Sequence, residues 1–298
     1  MGQFKPQELS NIVWSYTTAR DSHPKLFSKF ADHIASLDDL EQFKPQELSN
    51  LLWAYATVGI IDSQLFTSFA PAVQSVLGRC SSQDLSNVAW SYAVSNVNDH
   101  LLFNTDFIAA LRAKANDFVQ ENLYQLHQWQ LWQDELKLGI NLPLALSDKC
   151  RQAFVSESYQ SSRLQHDVVS VLSSIGMLPE EEVLTASGYR LDALVEVNGV
   201  KVGIEVDGPS HFIIREATGS MLLKRRQVNN LDRIRIISVP YWEWDRFGND
   251  RGKKQEYLRT KLGLKNIPIT SVPDCEWIEV RKGRAKKQQY LRSKLGLV

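Results

Sequence analysis

Cysteine is scarce in this chain: 298 residues contain three, Cys80, Cys150 and Cys275, odd in number and far apart. That excludes a disulfide framework and a CxxC-type metal site and points to a reducing compartment. Long hydrophobic runs are missing as well; no stretch of about eighteen apolar residues is present, so nothing reads as a membrane span. A net charge of either sign is also lacking, with 34 Lys+Arg against 34 Asp+Glu. The balance hides an asymmetry. Residues 1–156 hold 11 basic and 16 acidic side chains, and the rest holds 23 basic and 18 acidic. A basic half suits a polyanionic partner, through affinity and encounter rather than fold. The N-terminus, Met1-Gly2-Gln3-Phe4-Lys5-Pro6, shows neither a secretory hydrophobic region nor an Arg/Ser-rich transit peptide. The expectation from that alone is a cytosolic protein, or a true start that lies upstream.

What the chain does have is repetition. Lys5-Pro6-Gln7-Glu8-Leu9-Ser10-Asn11-Ile12-Val13-Trp14-Ser15-Tyr16 returns as Lys44-Pro45-Gln46-Glu47-Leu48-Ser49-Asn50-Leu51-Leu52-Trp53-Ala54-Tyr55, and again as Ser81-Ser82-Gln83-Asp84-Leu85-Ser86-Asn87-Val88-Ala89-Trp90-Ser91-Tyr92. Spacings of 39 and 37 between the equivalent glutamines belong to stacked helical pairs. Pro6 and Pro45 suit the first helical position, Glu8, Glu47 and Asp84 the first turn, and Ser81 with Asp84 a capping box. Leu9, Ile12, Val13 and Tyr16 share one face, and Trp14 widens it, so the Trp and Tyr positions read as core. A second helix follows each copy, around Leu26–Ala31, Leu65–Ala70 and Leu102–Leu111. A degraded fourth unit starts near Gln120, 37 residues after Gln83, and caps the array. The expectation for residues 1–158 is an α-solenoid of helical hairpins with an extended binding surface. Asn11, Asn50 and Asn87 recur at one position, either to read one base per repeat or to form an asparagine ladder between repeats.

From Ser161 the periodicity changes to an α-β-β-β-α-β-α order. The spacing predicts a helix over 163–175, strands over 182–184, 189–197 and 200–206, a helix over 220–230, a strand over 234–239 and a helix over 252–262. Asn198-Gly199 between alternating runs is a hairpin turn. That hairpin sets Asp192 across from Glu205, where facing side chains approach to roughly 5 Å. Two such carboxylates could hold Mg²⁺ or Mn²⁺ and activate water for phosphodiester cleavage, or form a structural pair bonded to loop backbone. The arrangement is that of restriction-endonuclease-like PD-(D/E)xK folds, except that Asp207 stands where the pattern calls for lysine. Lys224 on the next helix is the nearest substitute. Lys224-Arg225-Arg226 offers phosphate contacts, His211 a phosphate bond or a proton, and Tyr241 and Trp242 faces for unpaired bases. Trp244 reads as packing.

The string Ile204-Glu205-Val206-Asp207-Gly208-Pro209-Ser210-His211-Phe212, with Gly219, Leu222-Leu223-Lys224-Arg225-Arg226 and Ser238-Val239-Pro240-Tyr241-Trp242-Glu243-Trp244 after it, resembles a RAP domain. The array before it is similar to octotricopeptide- or heptatricopeptide-type repeats and to the leucine-rich region of FAST-kinase-like proteins. The resemblance implies an α+β protein whose residues 159–265 form a restriction-endonuclease-like RAP domain. It further implies binding of single-stranded RNA in mitochondria or plastids, with ribosomal or ribonucleoprotein partners, in transcript stability, processing, ribosomal RNA maturation or translation. No cofactor is implied unless the domain cleaves RNA. A metal-dependent ribonuclease using Asp192, Glu205, Asp207 and Lys224 is the enzymatic alternative, and a protein-interaction scaffold the third.

Residues 251–264 return as 284–297, a shift of 33, and Val239-Pro240 and Glu243-Trp244 return as Val272-Pro273 and Glu276-Trp277. Residues 266–298 thus read as a duplicated strand and helix. From Arg246 onward 14 basic residues face 5 acidic ones, a tail that is either a solvated basic helix or added RNA affinity.

Overall fold

The computed structural model describes residues 4–37, 40, 42–156 and 161–264. The duplicated copy at 266–298, with Cys275, lies outside the described residues. The described residues fall into two compact units. One takes its members from Met1–Tyr159, Leu184–Arg190 and Gly208–Arg235, the other from Gln160–Val183, Leu191–Asp207 and Ile236–Val298. A division into consecutive domains at about residue 158 is therefore not how the contacts cluster.

The first unit is built on eight helices: α1 Pro6–Thr18, α2 Pro24–Ala35, α3 Pro45–Thr57, α4 Ser63–Val76, α5 Ser82–Ser95, α6 Thr105–Ala113, α7 Gln120–Leu136 and α8 Leu144–Val155. The repeated motif starts each first helix in one way. A carboxylate at the third helical position accepts from the capping residue's N–H: Glu8 from Lys5 at 2.9 Å, Glu47 from Lys44 at 2.9 Å, Asp84 from Ser81 at 2.9 Å. That bond satisfies an otherwise orphaned backbone group and sets the acid against the positive helix end. In α7 the third position is Asn122, which accepts from Val119 at 3.3 Å. The capping residues Lys5, Lys44, Ser81 and Val119 put the fourth unit 38 residues after the third, one more than the alignment of Gln120 with Gln83 gave.

First helices pack in sequence, α1 on α3, α3 on α5 and α5 on α7; α8 packs on α7, and α2 on α4. The recurring tyrosine ties each pair to the one before. Tyr55 donates to the Phe27 carbonyl at 2.8 Å and Tyr92 to that of Phe66 at 2.7 Å, each ring meeting the same phenylalanine edge to face. Cys80 and Cys150 are buried free thiols, and burial pushes both up to about 12, which leaves them unreactive.

The second unit holds α9 Arg163–Ser174 and most of a four-stranded sheet: β1 Glu180–Leu184, β2 Arg190–Val197, β3 Val200–Asp207 and β6 Arg235–Pro240, in the order β1-β2-β3-β6. β2 and β3 pair antiparallel, from Ala193 opposite Ile204 to Val197 opposite Val200. Their turn is Asn198-Gly199, both residues at positive φ, 53° and 79°, as the sequence predicts. A two-stranded hairpin, β4 Phe212–Ile213 with β5 Glu216–Ala217, and α10 Gly219–Gln227 belong to the first unit. After β6 come the short α11 Tyr241–Asp245 and α12 Arg251–Leu262, again in the second. Val168, Val171, Leu172, Ala193, Ile204, Val239, Trp244, Leu258 and Leu262 make its core.

Candidate nucleic-acid interface

Continuing the β2–β3 register one residue past Ala193 and Ile204 sets Asp192 opposite Glu205, as the hairpin predicts. Both are buried, at 8% and 4% exposure, and Asp207, two residues along β3, is buried at 1%. The Asp192 and Asp207 side chains are engaged by their own fold. Asp192 accepts from the Val206 N–H at 2.6 Å, and Asp207 accepts a short hydrogen bond from the Ser238 hydroxyl. Gln165 on α9 donates to the Asp192 carbonyl at 3.2 Å and to Glu182 at 2.6 Å. Among the described residues no three His, Cys, Asp or Glu side chains are placed to share a metal ion. The expected Mg²⁺ or Mn²⁺ pair, Asp192 and Glu205, stands with its two carboxylates on facing positions of β2 and β3. The structural pair bonded to backbone, the other reading of these residues, is the geometry present for Asp192.

Lys224 is half-buried on α10. It falls in the first unit, and its ammonium donates to the Arg190 carbonyl at 2.8 Å. Arg226, expected to contact phosphate, is a clamp instead. Its Nε meets both Glu135 carboxylate oxygens at 3.1 and 3.2 Å, and its terminal nitrogens donate to the carbonyls of Val94 at 3.1 Å and Ala93 at 2.5 Å. The Glu135 side chain is only 4% exposed, so the pair is desolvated and removing either member leaves a buried charge. All three residues of the Lys224-Arg225-Arg226 run are half-buried.

The segment around α10 crosses the helices in order. Arg20, just past α1, donates to the Pro209 carbonyl at 3.3 Å; Arg226 reaches the C-terminal end of α5; Gln227 donates to the Gln128 carbonyl of α7 at 2.8 Å. Gly219 makes the close approach possible, because a Cβ there would stand 1.9 Å from the Ala56 carbonyl oxygen at the end of α3. Ile213 and Leu223 of this segment are part of the helices' own core. The basic residues and period of α10 were readable in sequence. Their use against the repeats was not, since Glu135 lies 91 residues away with no local pattern to mark it.

The repeated asparagines diverge. Asn11 is exposed, Asn50 half-buried and Asn87 buried. Asn87 accepts from Gln125 of the next unit at 3.0 Å, and Trp90 donates to Gln128 at 2.9 Å, so at the third repeat these positions make side-chain bonds to the following unit. Two further bonds join successive first helices, Ser49 to Asp84 at 2.7 Å and Asn122 to Ser86 at 2.9 Å. Trp14 departs from the expectation of a core residue: it is 45% exposed, against 6% for Trp90.

His211 is half-buried at the end of a 3₁₀ turn, Pro209–His211. Tyr241 and Trp242 are half-buried on the first turn of α11, their rings edge to face at 5.2 Å. Trp244 is core, as expected, and its indole N–H donates to Asp167 at 2.8 Å, where Lys254 also binds at 2.7 Å. Partial burial works against the Asp167 carboxylate, but those two hydrogen bonds and the Lys254 charge outweigh it and hold the group below its ordinary range. Sequence reasoning passed over Asp167 because its partners lie 77 and 87 residues away.

The helix-rich N-terminal region and the small sheet with its helices define an α+β chain consistent with helical repeats ahead of a RAP domain. The RAP domain family model matches residues 204–261, from the end of β3 to the last turn of α12. RAP domains generally bind RNA. No curated protein matches the chain. Among the described residues no helix is long and apolar enough to cross a membrane.

Proposed function

We propose that this protein binds single-stranded RNA in mitochondria or plastids and acts on transcript processing, stability, ribosomal RNA maturation or translation, together with ribosomal or ribonucleoprotein partners. The observation that carries the reading is the RAP domain at 204–261. Within it, Tyr241 and Trp242 present partly accessible rings at the end of β6, suited to stacking on unpaired bases, and Arg225 and His211 supply polar contacts for the backbone. Outside it, the amides of Asn11 and Asn50 stay accessible where that of Asn87 does not. With Asp192 and Asp207 bound into the fold, holding RNA accounts for the domain better than cleaving it.

Purified protein mixed with labelled single-stranded RNA should retain it, less so as salt is raised. Replacing Tyr241 and Trp242 with alanine should weaken retention at least about fivefold, given stacking worth roughly 1–3 kcal/mol per base. No retention by the intact protein overturns the proposal. Cleavage in Mg²⁺ or Mn²⁺ that disappears in Asp192→Ala would establish the ribonuclease instead, and tagged protein found by fractionation only in the cytosol would remove the organellar part.

A further inference from the structure

Glu8, Ile12, Ser15, Tyr16 and Ala19 form one side of α1. Glu8, Ser15 and Ala19 are exposed, and Ile12 and Tyr16 half-buried, whereas the residues at the same five positions of α3 and α5, 39 and 76 residues on, are all buried. Just ahead of the helices the contrast recurs: Phe43 and Cys80 are 1% and 4% exposed, Phe4 36%. On α3 and α5 this side meets the hairpin before, through the Tyr55 and Tyr92 hydroxyls on the Phe27 and Phe66 carbonyls and through Asp84, which accepts from Ser49 at 2.7 Å. The second and third repeats thus use it as a packing surface, and α1 presents the equivalent residues in the open.

What this side of α1 can bind follows from the rest of the array. The seats at Phe27 and Phe66 are filled by Tyr55 and Tyr92, Phe103 and Phe107 are met by Trp129, and Phe154 of α8 is met by Tyr189 edge to face at 5.1 Å. Among its described residues a second copy of the chain therefore has no open seat of this kind to set against α1. It does have the same open side. We propose that this side of α1 binds the same side of a second copy of the chain, an isologous contact about a two-fold axis.

The side is complementary to itself. With the axis at Ile12, α1 lies antiparallel to its copy and the two Ile12 side chains meet at the centre. Glu8 and Tyr16 stand four residues to either side, so each Tyr16 hydroxyl faces the Glu8 carboxylate of the second copy. One Glu8 oxygen already holds the Lys5 N–H at 2.9 Å; the other accepts from Tyr16, in the role that the Phe27 and Phe66 carbonyls play for Tyr55 and Tyr92. Ser15 and Ala19 are small enough to let the two helices approach closely, and the antiparallel arrangement sets the positive end of each helix beside the negative end of the other.

Sedimentation of the full chain without RNA should show a dimer that dissociates on dilution. Ser15→Arg, at an exposed position whose hydroxyl bonds only the Asn11 carbonyl of its own helix at 2.7 Å, should give a monomer that melts as cooperatively as the parent. Ala19→Arg, likewise exposed, should do the same and serves if Ser15→Arg does not fold. Tyr16→Phe keeps the ring, loses only the hydroxyl and should weaken dimerisation about tenfold. A full chain that sediments as a monomer even when concentrated overturns the proposal, whether or not it captures another helical-repeat protein. A dimer that both arginine variants leave intact overturns it too, because the copies then meet elsewhere.

Discussion

In α1, Asn11 and Trp14 lie on an open helix face, whereas in α5 the same motif positions, Asn87 and Trp90, are closed over. Leu-Ser-Asn before and Trp-Ser-Tyr after are the same in both copies, so these motif residues did not decide between the two states. What differs is the neighbour. Trp90 donates to Gln128; Gln128 donates to the Tyr189 hydroxyl at 3.0 Å, which donates to Gln227 at 2.7 Å, and Gln227 returns to the Gln128 carbonyl. This buried polar circuit is supplied by Leu184–Arg190 and α10, segments that belong to the α/β half in sequence and to the helices in space. A fully satisfied network of this kind fixes one arrangement, and each member leaves a costly orphan if its partner is removed.

The comparison breaks most readily at the closed end. Gly219→Ala should have the largest effect, because its new methyl cannot fit 1.9 Å from the Ala56 carbonyl and backbone cannot yield as a flexible side chain would. Thermal melting should show a loss of at least about 3 kcal/mol, and a variant as stable as the parent would mean that α10 does not rest on α3. Next comes the tryptophan pair. Trp90→Ala should cost about 3 kcal/mol or more, while Trp14→Ala, already 45% exposed, should cost about 1 kcal/mol or less. Equal losses would erase the distinction between the two ends.

Much of this was legible from residues alone. The Pro6 and Pro45 starts, the Ser81 and Asp84 capping box, the Asn198-Gly199 turn and the order of the expected elements after residue 161 follow from local chemistry and periodicity; there the element ends agree within one to three residues, while α2 and α4 run four and six residues past their expected ends and α8 and α11 were not foreseen. The facing of Asp192 and Glu205 followed from strand geometry. What escaped depends on partners distant in sequence. Arg226 looked like a phosphate contact because nothing near it announces Glu135, and Asn11, Asn50 and Asn87 looked alike because burial is set by what lies over them. The hairpin of β4 and β5 was too short for any periodic signal.

The smallest effect expected is one of pH, and it too belongs to the closed end. His127 on α7 bonds the Ser187 carbonyl through Nε2 at 3.0 Å and lies 4.7 Å from the Phe154 ring; Ser187 is fixed in turn by Asp232 through its N–H at 2.9 Å and its hydroxyl at 2.6 Å. Burial lowers the pKa of the imidazole, the Ser187 bond opposes that, and the Arg151 charge adds to the lowering. The folded state thus resists a proton that the unfolded chain accepts at about pH 6.5. Stability is then fully present above that value and falls as pH drops toward the folded pKa, by at most about 1.4 kcal/mol per pH unit. Denaturant melts from pH 7.5 to 5.5 should show this slope in the intact protein and a flatter one in His127→Gln. An unchanged slope in the variant would place the pH dependence elsewhere.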